Sequence, residues 1–287
     1  MTGTGFRHWR VIALALAFAP LIALGQSEGT KEEFKPEVGQ AGKDVIWVPT
    51  PEFLVDRMLQ MAQVGPNDLV VDLGSGDGRT VIEAAKKFHA NSVGLEFNPD
   101  MVALSRRNAE KAGVPTTDAK FIEADIFASD FHKATVVTMY LLPDLNLRLR
   151  PKLLDMKPGT RIVSHQFDMG DWKPDEISTF DGRTAYFWRV PAKVEGDWKL
   201  SYGSGKSMTE RTLNLRQTYQ MVEGALVSES THLGLRDVRL RGDQFEFSFV
   251  DDRGVLCEFS GRVLGKTMSG SLRAGGKPGR FRAQRIS

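Results

Sequence analysis

Short apolar runs alternate with longer amphipathic segments between residues 45 and 190. Apolar runs of four to eight residues are typical of buried strands, and apolar residues at helical spacing predict helices. We predict strands at 69–73, 92–96, 119–123, 135–141 and 160–166, and helices near 79–88, 99–112 and 144–156. A further amphipathic helix opens after the Val-Pro-Thr-Pro sequence at 48–51, and an edge strand is predicted at 183–190. This alternation predicts a parallel α/β fold.

After Pro191 the pattern changes to short runs in which apolar and polar residues alternate. Phe245, Phe247 and Phe249 share one parity, and glycines separate this run from the next ones. Alternation with a period of two is typical of half-buried strands. Residues 191–287 therefore predict a second, antiparallel β-rich domain, barrel- or sandwich-like, whose aromatic residues we interpret as core.

The N-terminal region is typical of a targeting segment. Arg7 and Arg10 precede an uncharged stretch, 11–24, and small residues before Gln26 suit a cleavage site. We predict a signal peptide at 1–25, an exported, periplasmic protein, and a linker at 26–44. Membrane contact is then expected only through the N-terminal segment. An uncleaved membrane anchor or a mitochondrial-type presequence is the alternative.

Composition narrows the candidate chemistry. The formal net charge is +2, which implies no general affinity for polyanions, and no long basic face points to nucleic acid. The single cysteine, Cys257, lies among apolar neighbours and is interpreted as a core residue. The five histidines are scattered without metal-ligand spacing, so no metal site is predicted.

The first predicted strand leads into a loop with three alternating glycines, Gly74, Gly76 and Gly78. Glycine permits a sharp turn and close approach of a ligand to the backbone. Glu96 ends the second predicted strand, so it is expected to face the same crevice at the carboxyl ends of the strands. A carboxylate there can accept hydrogen bonds from both hydroxyls of a ribose. The unit therefore predicts a nucleoside site.

The glycine spacing differs from the dinucleotide fingerprint, and no Gly-Lys-Ser/Thr follows as in a Walker A loop. With Asp72 before it, the loop resembles the first motif of class I S-adenosylmethionine (SAM) methyltransferases. The resemblance implies a Rossmann-like sheet with SAM as cofactor. It places Asp72 at the ammonium or sulfonium end and the loop residues Gly74, Ser75 and Gly76 along the methionine part of SAM. A turn-capping role is the alternative for Asp72.

Further candidate residues lie at or just after the carboxyl ends of the third, fourth and fifth predicted strands. Asp125, with the N–H of Ile126, suits the adenine amino group and ring nitrogen, although a helix N-cap competes as an explanation. Tyr140 is the candidate catalytic residue, near the sulfonium or the methyl acceptor, or else a packed tyrosine. His165 is interpreted as a satisfied buried histidine rather than a base.

A narrower resemblance rests on several sequences that occur together, at 48–51, 72–79, 140–143, 158–165 and 172–174. They resemble the small protein-lysine methyltransferase family whose eukaryotic members act on the c-subunit of ATP synthase and on the adenine nucleotide translocase. The resemblance covers roughly residues 45–190 and adds Pro49 and Thr50 to the expected SAM pocket. It implies in-line methyl transfer to a nitrogen, with a protein lysine as one candidate. The C-terminal domain has no counterpart in the short eukaryotic members.

Three rival functions stay open from the sequence. The first is a small-molecule methyltransferase. The second is an exported nucleoside-binding protein with a methyltransferase fold and no turnover, which export favours because SAM is made in the cytosol. The third is a nucleotide-sugar or NAD-dependent enzyme, which the glycine spacing disfavours.

Overall fold

The structure is a computed structural model that describes residues 1–4, 34–43, 46–204, 207–228 and 232–286. The chain divides after Glu33 into two units, and every helix and strand given below lies in the second, which begins at Phe34. The predicted signal peptide lies outside the described residues apart from 1–4, as do residues 26–33 and 44 of the predicted linker. Within the described ranges, no helix is long and apolar enough to cross a membrane.

The first part of this unit alternates strands and helices around one sheet. Its elements are α1 (Glu52–Met61), β1 (Leu69–Leu73), α2 (Arg79–Phe88), β2 (Asn91–Glu96), α3 (Pro99–Lys111), β3 (Ala119–Glu123), β4 (Val136–Met139), α4 (Pro143–Leu154), β5 (Arg161–His165), β6 (Glu176–Phe180) and β7 (Arg183–Arg189).

The sheet has the strand order β3-β2-β1-β4-β5-β7-β6. Strands β1 to β5 run parallel, and β7 joins β5 in antiparallel orientation with β6 at the edge. Helices cover both faces: Leu59 of α1 packs in one core with Val163, and Leu149 of α4 packs in the other with Ile162. The order reverses between β1 and β4, the switch point at which open α/β sheets form a ligand crevice.

The predicted strands and helices of this sheet agree with the structure to within two residues at each end. The helix start at Pro99 is confirmed, because the Asn98 side chain accepts hydrogen bonds from the backbone N–H groups of Asp100 and Met101. The strand predicted at the edge, β7, is internal, because the unpredicted strand β6 pairs with its outer side. Strand β6 is an edge strand with four exposed residues out of five, so it carries no alternating apolar face.

The remaining strands form a nine-stranded sheet. They are β8 (Gly196–Ser204), β9 (Ser207–Thr218), β10 (Met221–Val227), β11 (His232–Gly234), β12 (Arg236–Arg241), β13 (Gln244–Val250), β14 (Leu256–Leu264), β15 (Thr267–Ala274) and β16 (Lys277–Arg285).

This second sheet is antiparallel and curls into a nearly closed barrel. Its order is β11-β10-β9-β8-β16-β15-β14-β13-β12, and β10 from one end contacts β12 from the other. The alternating phenylalanines point inward, and the rings of Phe247 and Phe259 stack 4.5 Å apart in its core. The predicted fold class, a Rossmann-like sheet with a C-terminal antiparallel β-rich part, is confirmed. The boundary at 190/191 stays a prediction.

The turn between β9 and β10 contacts the loop that follows β5. Trp172 donates a hydrogen bond from Nε1 to Gln220 Oε1 at 3.0 Å, and Gln220 Nε2 donates to the carbonyl of Lys173 at 2.7 Å. The ring of Tyr219 stacks on Trp172 with 6.0 Å between centroids. The C-terminal sheet is therefore in direct contact with a loop that begins beside the candidate site.

Candidate active site

A cavity of about 270 Å³ lies at the carboxyl ends of β1 to β4. The structure brings together in its wall every residue that the sequence predicts to bind or to catalyse, which are Pro49, Thr50, Asp72, Gly74, Ser75, Gly76, Glu96, Asp125, Ile126 and Tyr140. These residues come from five separate segments of the chain. Their convergence supports one common site, while their individual roles stay predictions.

The glycine loop joins β1 to α2 through three residues with left-handed backbone angles. Gly74, Gly76 and Gly78 have φ values of 77°, 53° and 84°. A Cβ at Gly76 would lie 2.8 Å from Trp47 Nε1, and one at Gly78 would lie 2.7 Å from the ring of Phe121. Glycine is therefore required at both positions by backbone angle and by close packing.

Ser75 contributes to the wall differently from its neighbours. Its hydroxyl is buried and lies against β2, since a Cβ at Gly94 would be 2.5 Å from Ser75 Oγ. This oxygen has no hydrogen-bond partner among the residues that the structure describes. The Ser75 backbone is hydrogen-bonded within the protein, since its N–H donates to the carbonyl of Leu95 at 3.1 Å and its carbonyl accepts from Gly78 N at 2.9 Å.

Glu96 connects the glycine loop to the start of α3. Its Oε2 accepts from Gly76 N at 2.9 Å, and its Oε1 accepts from Asn98 N at 3.0 Å. A carboxylate has about four lone-pair sites, so each oxygen retains acceptor capacity toward the cavity. The arrangement fixes the carboxylate while leaving it able to accept hydrogen bonds from a diol.

Asp72 is a buried carboxyl group at the end of β1, with 6% of its surface exposed. Burial raises its pKa to about 7, and the neighbouring carboxylates of Glu96 and Asp77 act in the same direction. Thr138 on β4 opposes this by donating a hydrogen bond to Asp72 Oδ1 at 2.6 Å. A cation in the cavity would favour the ionised form of this carboxyl group.

Asp125 follows β3, where its side chain caps a turn, and its predicted contact with adenine stays a prediction. Its Oδ1 accepts from Phe127 N at 2.8 Å and so caps a turn, while its Oδ2 accepts from Lys43 Nζ at 2.8 Å. The Lys43 ammonium also lies 4.2 Å from the centre of the Phe97 ring. The hydrogen bond from Lys43, with that from Phe127 N, holds the pKa of Asp125 below its usual range. Ile126 lines the cavity beside it.

Tyr140 lines the cavity just after β4, and its ring contacts His165, the last residue of β5. The two rings are 3.8 Å apart between centroids, and Phe167 lies 6.3 Å from Tyr140 on the same measure. His165 is fully buried, and its Nδ1 is 3.0 Å from Thr50 Oγ1. Its Nε2 has no hydrogen-bond partner among the described residues. The buried histidine expected from the sequence is therefore hydrogen-bonded at Nδ1 only.

Several residues of the wall were not predicted from the sequence. Lys43 belongs to the predicted linker, and Trp47 follows it; both line the cavity. Ala41 bridges to Ile46 in antiparallel fashion, which folds this polar segment over the glycine loop. The sequence signal that could have identified this segment is Trp47, a large apolar residue next to a polar stretch. Phe167, also missed, lies on the irregular loop after β5, where no periodicity indicates a position.

The described residues include no group of three His, Cys, Asp or Glu side chains that could hold a metal ion. The cavity instead offers carboxylates at the carboxyl ends of three adjacent strands, β1, β2 and β3. It also offers backbone along the glycine loop and aromatic rings after β4 and β5. These groups suit an uncharged or cationic ligand with several hydrogen-bond donors.

Comparison with known proteins agrees with this geometry. A family model described as the ANTKMT methyltransferase domain matches residues 72–176. A protein-lysine N-methyltransferase of Saccharolobus islandicus is 47% identical over 135 residues, which are 46% of this chain and 83% of that protein. The chain belongs to the ANTKMT methyltransferase family.

Other members and a solved structure extend the likeness. The human lysine N-methyltransferase named for the C-subunit of ATP synthase is 34% identical over 133 residues, 46% of this chain, and the match spans 56% of its own length. A Salinibacter ruber protein, described as an RNA methyltransferase and solved with S-adenosyl-L-homocysteine, is 49% identical with a TM-score of 0.50. The match covers 51% of this chain and 96% of that one.

Family membership confirms the main expectations from the sequence. The protein is a SAM-dependent methyltransferase, as the glycine loop and Glu96 indicated. The matched family model ends at residue 176, so residues 191–287 lie outside it.

Proposed function

We propose that this methyltransferase binds SAM across the carboxyl ends of β1, β2 and β3 and methylates the ε-amino group of a protein lysine. The observation that carries the cofactor site is the set of three carboxylates at successive strand ends. Glu96 ends β2 with free acceptor capacity for the ribose hydroxyls, and Asp125 follows β3 for the adenine amino group. Asp72, buried at the carboxyl end of β1, suits a cationic group.

The residues present fit SAM at each of these points. The backbone of the glycine loop is uncovered at Gly74, and Trp47 closes over Gly76 at a distance that leaves no room for a Cβ. Lys43 pairs with Asp125 at the mouth, so an adenine would share that carboxylate with the ammonium. SAM, when bound, supplies an activated methyl group on a sulfonium.

The chain's own residues then act by orientation rather than by acid–base chemistry. Met58, Met139, Leu141 and Leu145 give the cavity an apolar part of its wall. Holding two reacting groups in line can contribute effective molarities of roughly 10⁵–10⁸ M. Tyr140, which lies beyond β1 toward β5, is the candidate for contact with the acceptor.

A lysine acceptor is supported by what the relatives are described as doing. The Saccharolobus islandicus protein is described as a protein-lysine methyltransferase, and the human one as a lysine methyltransferase for the C-subunit of ATP synthase. The chain spans just over half of the human protein's length, so that protein's substrate does not transfer. Because the Salinibacter ruber protein is described as an RNA methyltransferase, RNA is the acceptor that the experiment must exclude.

The test uses SAM that carries a tritiated methyl group, the full-length protein and an extract of its own cells. Wild-type protein is expected to label protease-sensitive, ribonuclease-resistant material, and acid hydrolysis is expected to release methylated lysine. The Glu96→Ala variant at equal concentration is the control. Label that ribonuclease removes, or label in small molecules, would contradict the lysine acceptor and leave the cofactor site standing.

A nucleoside-binding protein without turnover gives a different result in the same experiment. Calorimetry would then show SAM binding while no fraction gains label. Absence of binding by SAM and S-adenosylhomocysteine to the folded protein would refute the cofactor site itself. These outcomes separate the methyltransferase proposal from its nearest rival.

We also propose that the protein is exported and that residues 1–25 are removed. The support is the sequence pattern alone, an uncharged stretch after Arg10 followed by small residues before Gln26. Cell fractionation followed by N-terminal sequencing tests it. A mature protein that begins at Gln26 in the periplasm is the expected result, and an intact N-terminus in the cytosol contradicts it.

A further inference from the structure

Thr50 and His165 form a buried pair at the end of the cavity that lies over β4 and β5. Thr50 Oγ1 is 3.0 Å from His165 Nδ1, and the two residues are 8% and 0% exposed. Thr50 lines the cavity, and His165 contacts it through Thr50 and Tyr140. Strands β2 and β3 lie on the opposite side of β1 from β4 and β5. The pair therefore lies toward the opposite side of β1 from β2 and β3, the strands assigned to the ribose and the adenine.

Thr50 is held from two directions. Its carbonyl accepts a hydrogen bond from Arg79 Nη1 at 2.9 Å, and Arg79 is itself paired with Asp77 of the glycine loop at 2.6 Å. Its hydroxyl is fixed by His165, at the end of β5. Residue 50 thus has a defined position between the glycine loop and β5, as expected for a group that must orient a reactant.

The protonation state of His165 follows from its burial. Burial and the nearby Arg183 on β7 lower the pKa of His165 to about 4, so the imidazole is neutral at pH 7. A neutral imidazole carries its proton on one nitrogen only. Because Nε2 is buried without a partner among the described residues, a proton there would be an unsatisfied donor, which costs more than an unused lone pair. The proton therefore belongs on Nδ1, and His165 donates to Thr50.

This direction leaves the Thr50 oxygen with an unused lone pair and its own hydrogen free to turn toward the cavity. A neutral primary amine that attacks with its lone pair keeps two N–H donors, which need acceptors close to the reacting carbon. We propose that Thr50 accepts a hydrogen bond from the methyl-accepting amine, and that His165 is the positioning residue that fixes the Thr50 hydroxyl. This rests on the proposed amine acceptor and deepens it.

The proposal differs from the role that family resemblance implies for Thr50, which is cofactor binding. If Thr50 contacts the acceptor instead, removal of its hydroxyl should leave the affinity for SAM unchanged and slow methyl transfer. The Tyr140 ring, at 3.8 Å from the imidazole, keeps His165 in the orientation that directs Nδ1 at Thr50. Measuring both the Kd for SAM and the rate of methyl transfer therefore distinguishes cofactor binding from acceptor contact at Thr50.

The first experiment determines which nitrogen of His165 carries the proton, and it requires no methyl transfer. In protein with ¹⁵N-labelled histidine and no added ligand, the His165 signal is identified by its loss in His165→Asn. We expect a proton on Nδ1, none on Nε2, and no titration between pH 5.5 and 8. The Thr50→Val variant should disturb this signal while His89 and His132 keep theirs. A proton on Nε2, or titration near pH 6.5, would overturn the assigned direction of the hydrogen bond.

The second experiment measures kcat, KM for the acceptor and Kd for SAM. Thr50→Val is expected to lower kcat/KM for the acceptor roughly 10- to 100-fold with an unchanged Kd for SAM, and Thr50→Ser to stay within about threefold of wild type. His165→Leu should match Thr50→Val, and the double variant should lose no more. His165→Asn, whose amide N–H can occupy the place of Nδ1–H, should retain most activity.

The outcomes distinguish this inference from the proposed function. If the wild type binds SAM and methylates nothing, the proposed function fails, and the inference fails with it. If the wild type methylates an amine and Thr50→Val does so equally well, only the inference fails. A weakened Kd for SAM in Thr50→Val assigns Thr50 to the cofactor and also overturns the inference. Thermal unfolding shows whether each variant folds. If His165→Leu does not fold, the comparison of Thr50→Val with Thr50→Ser still tests the inference.

Discussion

Gly76 donates a hydrogen bond from its backbone N–H to Glu96 Oε2 at 2.9 Å, which ties the glycine loop after β1 to the carboxyl end of β2. The other oxygen of the same carboxylate accepts from Asn98 N at 3.0 Å. Glu96 therefore fixes the loop and presents its remaining lone pairs to the cavity at once. The ribose-binding role predicted for Glu96 and the geometry of the glycine loop depend on one side chain.

Replacement of Glu96 by alanine should weaken SAM binding by about 1.5–3 kcal/mol, the range for hydrogen bonds to a charged group. This corresponds to a Kd roughly 10- to 150-fold higher, measured by calorimetry. Glu123 is the matched control, because it pairs with Glu96 in register on β3 and is exposed. Equal affinity in Glu96→Ala and Glu123→Ala would contradict the ribose role.

Gly76→Ala should remove most SAM binding, because it combines a left-handed φ of 53° with a contact of 2.8 Å to Trp47 Nε1. Gly113 has a similar φ of 71°, and a methyl group added there would meet no atom within 4 Å, so Gly113→Ala carries the backbone strain alone, about 1–3 kcal/mol. We expect a larger loss of stability in urea unfolding for Gly76→Ala than for Gly113→Ala, and a loss of SAM affinity only in Gly76→Ala. Retained affinity in Gly76→Ala would show that the Trp47 contact is dispensable.

SAM binding should depend on pH through Asp72. Because burial raises the pKa of this carboxyl group to about 7, it is mostly protonated at pH 6 and must ionise to bind a cation. The Kd should fall as pH rises from 5.5 to 7.5, with release of a proton on binding. Calorimetry in buffers of different ionisation enthalpy measures that proton. Asp72→Asn should bind more weakly with a flat profile over this range.

The same pKa shift has an opposite consequence for the protein without SAM. A carboxyl group whose pKa is raised from 3.8 to about 7 by folding stabilises the folded state fully below pH 3.8 and loses that contribution as pH rises through 7. The shift corresponds to roughly 4 kcal/mol. Asp72→Asn should therefore unfold at a higher temperature than wild type at pH 8. A lower midpoint would mean that Thr138 and its neighbours stabilise the carboxylate more than burial penalises it.

The sequence predicts the site residues well where they lie at the carboxyl end of a predicted strand. Asp72, Glu96, Asp125 and Tyr140 each lie at or just after the end of an apolar run, and parallel strands bring their carboxyl ends to one edge. Pro49 and Thr50 were placed in the wall by family resemblance alone, since the segment before α1 has no periodicity that locates it.

The features of the site that the sequence did not predict are determined by tertiary contacts. Lys43 lies in a polar segment that is typical of a linker, and its position is fixed by an ion pair to Asp125, 82 residues away in sequence. The neutral state of His165 depends on burial and on Arg183 of β7, which no local pattern encodes. Composition and spacing indicate which side chains are available, whereas pairs between distant segments require the fold.

The contact between the two sheets should be stabilised by Gln220. Trp172 is fully buried and donates its Nε1–H to Gln220 Oε1 at 3.0 Å, so Gln220→Ala leaves a buried donor without an acceptor. We expect a loss of about 1–3 kcal/mol in the free energy of unfolding, measured in urea by tryptophan fluorescence. Gln284 is exposed on β16, and Gln284→Ala should change stability by less than about 0.5 kcal/mol. Equal stability of the two variants would mean that the turn between β9 and β10 contributes little to holding the loop after β5.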